Sequence, residues 1–269
     1  MLKERLLTAL VAGSALLAGL IFLNTTGVAV LLGAVTLLAA FEWSSLVHPG
    51  SATGLAFTLL TAILGIASLA LPLAVVVAVG LAWWAWALGE VFVFRDRASP
   101  LWRQAPIKWL AGLLVLVPAW RGCFALKSQD PTHHSLLIWL LVMVWVADSV
   151  AYFAGRAFGR HKLAPLVSPG KTVEGALAGV AGSAAVGAAG AWWLGVLQLG
   201  IGGGVLLGLA VGTLSIVGDL LESKAKRLAQ VKDSGRWLPG HGGVLDRIDA
   251  LTAAVPLFVW TMRDLGVLR

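Results

Sequence analysis

Apolar residues in this chain gather into blocks of roughly membrane-spanning length, separated by short polar breaks. Because about 20 apolar residues cross the hydrocarbon core of a bilayer, the sequence predicts helices near 6–23, 27–46, 54–71, 73–94, 107–126, 135–155, 174–195, 198–222 and 250–267. Asn24-Thr25-Thr26-Gly27, His48-Pro49-Gly50-Ser51 and Pro72 supply the early breaks. The expected fold class is therefore all-α, a polytopic membrane protein with about nine transmembrane helices. The opening MLKER followed by LLTALVAGSALLAGLIFL has the layout of a secretory signal. Its apolar run reaches full-span length, however, and no soluble domain follows, so it is read as an uncleaved first helix.

Composition agrees with the pattern. Hydrophobic residues make up 59% of the 269 and charged residues 12%, about half the roughly 25% charge of a soluble domain. A net charge of +7 would suggest nucleic acid in a soluble protein. Here the cations lie between hydrophobic spans, which points to anionic lipid headgroups and phosphate substrates and away from nucleic acid. The single cysteine, Cys123, excludes an internal disulfide or a cysteine-based metal cluster and is expected to be a small buried residue.

With the N-terminus in the cytoplasm, the inner segments hold Lys3, Arg5, Arg95, Arg97, Arg103, Lys108, Arg156, Arg160, Lys162, Lys171 and the cations of 223–249. Only Arg121, Lys127, Arg263 and Arg269 are left outside. Of the 13 tryptophans, Trp43, Trp102, Trp109 and Trp237 fall near predicted helix ends, as in an interfacial belt. The Gly- and Ala-rich run 174–212 suits close helix packing, and such faces also leave a homodimer open.

Polar chemistry collects late in the chain. Residues 223–249 read SKAKRLAQVKDSGRWLPGHGGVLDRID between two apolar spans. Around the start of that stretch, Asp219, Glu222, Ser223 and Lys226 share one helix face by spacings of three, four and seven. A carboxylate at that depth is costly unless paired, hydrated or metal-bound, which makes Asp219 a site candidate. Asp246 and Asp249 open the last predicted helix, where acids also answer the helix dipole. Asp219 and Asp246 on neighbouring helices suit Mg²⁺, a hard ion, and no His or Cys spacing favours zinc. Pro239-Gly240-His241-Gly242-Gly243 places small residues before a helix N-terminus, where backbone N–H groups can approach an anion. His241 there suits a phosphate or a structural hydrogen bond. A second polar cluster contains Asp148, Tyr152, Arg156, Arg160 and Ser168–Gly175, with Asp148 and Tyr152 on one helix face.

Ser223, Lys226, Arg227, Lys232, Asp233, Gly235, Leu238, Pro239, His241, Gly242, Gly243, Asp246, Arg247 and Asp249 fall at the spacing of a known signature. The stretch resembles that of the phosphatidate cytidylyltransferases, or CDP-diacylglycerol synthases, which join CTP to phosphatidic acid. Ala225 departs from it, standing where the family usually has a larger apolar residue. Ser168-Pro169-Gly170-Lys171-Thr172-Val173-Glu174-Gly175 resembles a second segment of the same family, placing Lys171 and Thr172 near phosphate oxygens while Glu174 caps a helix. The likeness is specific over roughly 148–175 and 215–249 and general elsewhere.

This resemblance implies a Mg²⁺-dependent enzyme of phospholipid biosynthesis that releases pyrophosphate and acts on CTP and phosphatidate. It implies Asp219 and Asp246 as metal ligands, with Asp249 and Asp148 either as additional ligands or as groups that support the ligands from behind, and a second cation left unassigned. Lys226 and Arg227 join Asp219 and Asp246 as catalytic candidates. Ser168, Lys171, Thr172, Ser223, Lys232, His241, Gly242, Gly243 and Arg247 are candidates for substrate binding. The expected organisation is scaffold helices over 1–94, a middle helix with its loops over 95–134, and catalytic helices over 135–269, in an inner membrane with the site facing the cytoplasm. A transporter is disfavoured by the one-sided charge. A CDP-alcohol phosphotransferase is disfavoured because Asp246-Arg247-Ile248-Asp249 runs into Ala250-Leu251.

Overall fold

A computed structural model describes residues 2–48, 51–93, 100–129, 135–235, 237 and 242–268, with 2–10, 12 and 51 described by backbone alone. The described residues form α1 (Leu2–Phe22), α2 (Thr25–Val47), α3 (Ser51–Ala67), α4 (Leu73–Val93), α5 (Ala105–Gln129), α6 (Ser135–Phe158), α7 (Val173–Trp193), α8 (Gly200–Leu228) and α9 (Leu245–Asp264). With a mean hydropathy of +0.89, such segments must satisfy their backbone groups internally, and a helix does so within one segment. Asn24 caps α2 by accepting from Gly27 N at 2.8 Å, and Pro72 precedes α4.

Seven helices, α2 to α8, are long and apolar enough to cross a membrane. The sequence reading expects nine spans; the described residues form nine helices, of which seven meet that measure and α1 and α9 do not. The apolar part described in α1 is the shorter run Gly13–Phe22. Asp246, Arg247, Asp249, Arg263 and Asp264 make α9 less apolar. Yet α9 is the central helix, packed by α2, α4, α5, α6 and α8. Because its neighbours cover it, it is shielded from lipid without being uniformly apolar. Pro118 of α5 and Pro256 of α9 lie inside helices, and both meet α4 at Gly80, where a side chain would press on the two rings.

The glycines of α7 and α8 serve close approach. A Cβ on Gly187 would fall on the carbonyl of Gly204, and one on Gly208 on the carbonyl of Ser183. Consecutive helices alternate in direction, so the ends of α2, α4, α6 and α8 and the starts of α3, α5, α7 and α9 share one end of the bundle. The polar residues singled out above collect at that end.

Two features depart from the sequence reading. Between α6 and α7 the chain forms a small antiparallel hairpin, β1 (Lys162–Ala164) with β2 (Ser168–Thr172), so the fold is not purely helical. In addition, Trp43 and Trp102 are buried in the core and do not form part of a belt. Trp43 Nε1 donates to the Lys108 carbonyl at 2.9 Å, and Trp102 packs against Trp83 and Trp86 with centroids 6.0 and 5.9 Å away. Trp237 is 59% exposed, and Cys123 is buried as expected.

Gly208 and Gly202 give a matched pair on α8. A methyl on Gly202 meets nothing within 4 Å, so Gly202→Ala should be neutral or stabilise by up to about 1 kcal/mol. Gly208→Ala should destabilise by about 1–3 kcal/mol, because neighbouring backbone cannot yield. Denaturation in mixed micelles, followed by tryptophan fluorescence, checks the opposite signs.

Candidate active site

The polar face of α8 enters the bundle as an ordered stripe. Ser223 Oγ donates to Asp219 Oδ1 at 3.2 Å, and Lys226 Nζ donates to Glu222 Oε2 at 2.9 Å, both one turn apart. Lys226 also reaches across to α9, where its Nζ lies 2.6 Å from Asp246 Oδ1. The other oxygen of Asp246 accepts from Gly243 N at 2.8 Å and Ser234 N at 3.0 Å. Asp246 thus joins α8, α9 and the loop between them.

That loop starts at a sharp helix end. Val231 N returns to Lys226 O at 3.0 Å and Gln230 N to Arg227 O at 3.1 Å, the pattern of a Schellman motif. It requires a left-handed residue at Gln230 (φ 58°), where glycine would relieve a strain of about 1 kcal/mol. At the far end, Gly242 has φ 80°, and a side chain there would strike Asp246 Oδ2.

The hairpin brings in a second lysine. Lys171 of β2 places Nζ 2.6 Å from Asp219 Oδ2, with both side chains partly shielded. Local bonds hold the hairpin shut: Val173 N donates to His161 O at 2.9 Å, and Arg160 N and His161 N donate to Glu174. Glu174 also pairs with His161 Nδ1 at 2.6 Å, so it clasps the hairpin base in addition to occupying the first turn of α7. Arg227 Nε donates to the Val167 carbonyl at 3.1 Å, which ties the hairpin turn to α8.

Further acids surround this core. Asp148, exposed on α6, lies within electrostatic reach of Asp219, Lys171 and Arg247. Asp249 is within reach of Asp219 and Lys171, and Glu222 within reach of Asp249 and Asp246. Glu222 and Asp249 line a small internal cavity with Trp43, Trp84, Gly218, Leu245 and Thr252. Glu222 is 2% exposed; its carboxyl faces that of Asp249, and among the described residues no donor reaches its Oε1. Five carboxylates around two lysines make a donor set that fits a hard divalent cation in its chemistry. Among the described residues, no three His, Cys, Asp or Glu side chains are already grouped in metal-holding geometry; Lys171 takes Oδ2 of Asp219 and Lys226 takes Oδ1 of Asp246.

The remaining candidates are placed differently. Thr172 caps α7, its hydroxyl accepting from Gly175 N at 3.1 Å. Ser168 begins β2, Lys232 stands exposed in the loop, and Arg247 is exposed on α9. His241 lies outside the described residues. The acid that sequence reasoning left with the scaffold is Glu42 of α2. It is 2% exposed and accepts from Val244 N at 3.0 Å, Leu245 N at 2.7 Å and Ser234 Oγ at 3.0 Å. A lone carboxylate within an apolar span was the available signal. Glu90 of α4 is a second such acid, and its carbonyl accepts from buried Lys224 at 2.6 Å. Lys224 therefore points away from the Asp219 stripe.

Comparison with known proteins finds relatives along nearly the whole chain. A phosphatidate cytidylyltransferase of Pseudomonas aeruginosa is 44% identical over 264 residues, covering 96% of this chain and 96% of its own. One from Haemophilus influenzae is 36% identical over 285 residues, covering 96% and 97%. One from Synechocystis is 46% identical over 138 residues, or 51% of this chain and 46% of its own. The cytidylyltransferase family profile matches residues 3–264, and the chain belongs to that family.

Proposed function

We propose that this protein is a CTP:phosphatidate cytidylyltransferase, converting CTP and phosphatidate to CDP-diacylglycerol and pyrophosphate. The observation that carries the site assignment is the pair of lysine–carboxylate contacts, Lys171 with Asp219 and Lys226 with Asp246, each at 2.6 Å. They concentrate opposite charges at one end of the bundle, where a soluble nucleotide and a lipid headgroup can meet.

A phosphate oxygen of phosphatidate attacks the α-phosphorus of CTP, and the bond from that phosphorus to the α,β-bridging oxygen breaks, so that pyrophosphate leaves carrying that oxygen. The attacking oxygen is already largely anionic near neutral pH, so no strong base is needed. The barrier lies in bringing anions together and in charge building on the leaving group. Asp219 and Asp246 would hold Mg²⁺, with Asp249 and Asp148 as additional ligands. When bound, the ion supplies neutralisation of phosphate charge and orientation of the phosphates. The lysines turn from carboxylate to phosphate oxygens as substrate arrives. Glu222 keeps Lys226 aimed from a second side, 2.9 Å away. Arg227 fixes the hairpin that carries Lys171, and exposed Lys232 and Arg247 contribute positive potential at the mouth.

The site end faces the cytoplasm of an inner membrane in this reading. Arg156, Arg160, Lys162, Lys171, Lys226 and Arg227 sit at that end, and Arg121, Lys127 and Arg263 at the other.

Purified protein should transfer label from α-³²P-CTP to phosphatidate, and chelation of Mg²⁺ should abolish the transfer. Absence of labelled lipid with folded protein and several acyl chains sinks the proposed activity. Asp219→Asn and Asp246→Asn should each lower turnover by about 10²-fold or more, and folded variants with normal Mg²⁺-dependent rates would rule out the ligand assignment. For orientation, Lys232→Cys and Leu197→Cys are made in a Cys123→Ser background. An impermeant maleimide should label position 232 only from the cytoplasmic side and position 197, which is 88% exposed, only from the opposite side.

A further inference from the structure

We propose that Glu42 is a positioning residue for cytidylyl transfer, acting through Asp246 from a helix about 200 residues away in sequence. The role rests on the reading of Asp246 as a Mg²⁺ ligand given above. α9 has no side-chain cap of its own, and the first N–H groups of a helix lack intrahelical partners. Glu42 of α2 supplies that cap, taking Val244 N on Oε1 and Leu245 N on Oε2, where a carboxylate also answers the positive end of the helix dipole. Asp246 is the next residue along, so the rotation of this first turn sets the direction of its side chain.

Glu42 controls the surroundings of Asp246 as well. Ser234, whose hydroxyl donates to Glu42, gives its backbone N–H to Asp246 Oδ2. Gly243, the other amide donor to Oδ2, packs so closely on Glu42 that a Cβ would fall against its carboxylate, and Gly235 does the same. Two glycines of the signature are therefore required by an acid outside it. One carboxylate thus bonds the two residues before Asp246 and the side chain of Ser234 and packs against Gly243, while Glu222 of α8 holds Lys226 independently. A buried carboxylate is costly to maintain without such donors, and these donors all belong to the segment that presents Asp246.

A purely structural cap and a positioning residue differ in what they change. The former lowers the amount of folded enzyme, whereas the latter alters how strongly the folded enzyme takes its cation. In the full-length protein, Glu42→Gln should raise the Mg²⁺ concentration for half-maximal transfer about tenfold, while kcat at saturating Mg²⁺ falls less than about threefold. Glu42→Asp, which keeps the charge but is one methylene shorter, should fall between wild type and Glu42→Gln. Without substrates, hydrogen exchange at Val244 and Leu245 should be at least about tenfold faster in Glu42→Gln. An unchanged Mg²⁺ half-saturation in folded Glu42→Gln, with active wild type beside it, overturns the proposal.

If Glu42→Gln does not fold, Ser234→Ala removes one donor. A raised Mg²⁺ half-saturation then supports the role, and an unchanged one overturns it. If wild type shows no transfer, the proposed activity fails separately, and unchanged exchange at residues 242–249 overturns the clamp itself.

Discussion

Carboxylates withdrawn into the end of a membrane helix bundle must find donors, and that requirement organises the polar half of this protein. Asp219 takes Lys171, Asp246 takes Lys226 and two amides, and Glu42 takes two amides and a hydroxyl. Desolvation makes each acid unfavourable alone, and the donors come from different segments. Satisfying the charges therefore assembles α2, α8, α9, the hairpin and the long loop into one arrangement. Such pairs hold a unique geometry more than they add net stability.

Close packing makes those short distances attainable. Gly218 of α8 faces the backbone of Asp249 on α9, and Gly175 and Gly179 of α7 face the carbonyls of Ala151 and Ala147 on α6. Where side chains are absent, helices approach until their backbones touch. The acids and lysines carried by those helices then come within hydrogen-bond range. The lipid-facing surface has no such demand, and among its exposed large apolar residues Leu is the commonest.

The chain itself disclosed the helices, because runs of apolar residues in lipid leave the backbone little choice but the α-helix. It also disclosed the Asp219–Lys226 stripe, since spacings of three and four residues are local geometry and hold wherever the helix lies. The hairpin was hidden: five residues of β2 carry no alternation strong enough to announce a strand, and it is shut mainly by Glu174 and a few backbone bonds. Thr172 reads as a substrate-binding candidate and Arg227 as a catalytic one; that Thr172 also caps α7 and Arg227 also ties down the hairpin turn is visible only in the fold.

By itself, then, the sequence determined an all-helical membrane scaffold with its charge at one end, from hydrophobic run length and helical periodicity. Tertiary structure alone decided which charge meets which: Lys171 with Asp219, Lys224 with Glu90, and Glu42 with the start of α9. The reason is physical. Periodicity fixes neighbours one turn apart, whereas a partner some 50 or 200 residues away is set by how helices cross and where glycine lets them touch. The charge of Glu42 is visible in the sequence, but its contact with the start of α9 exists only after the bundle closes.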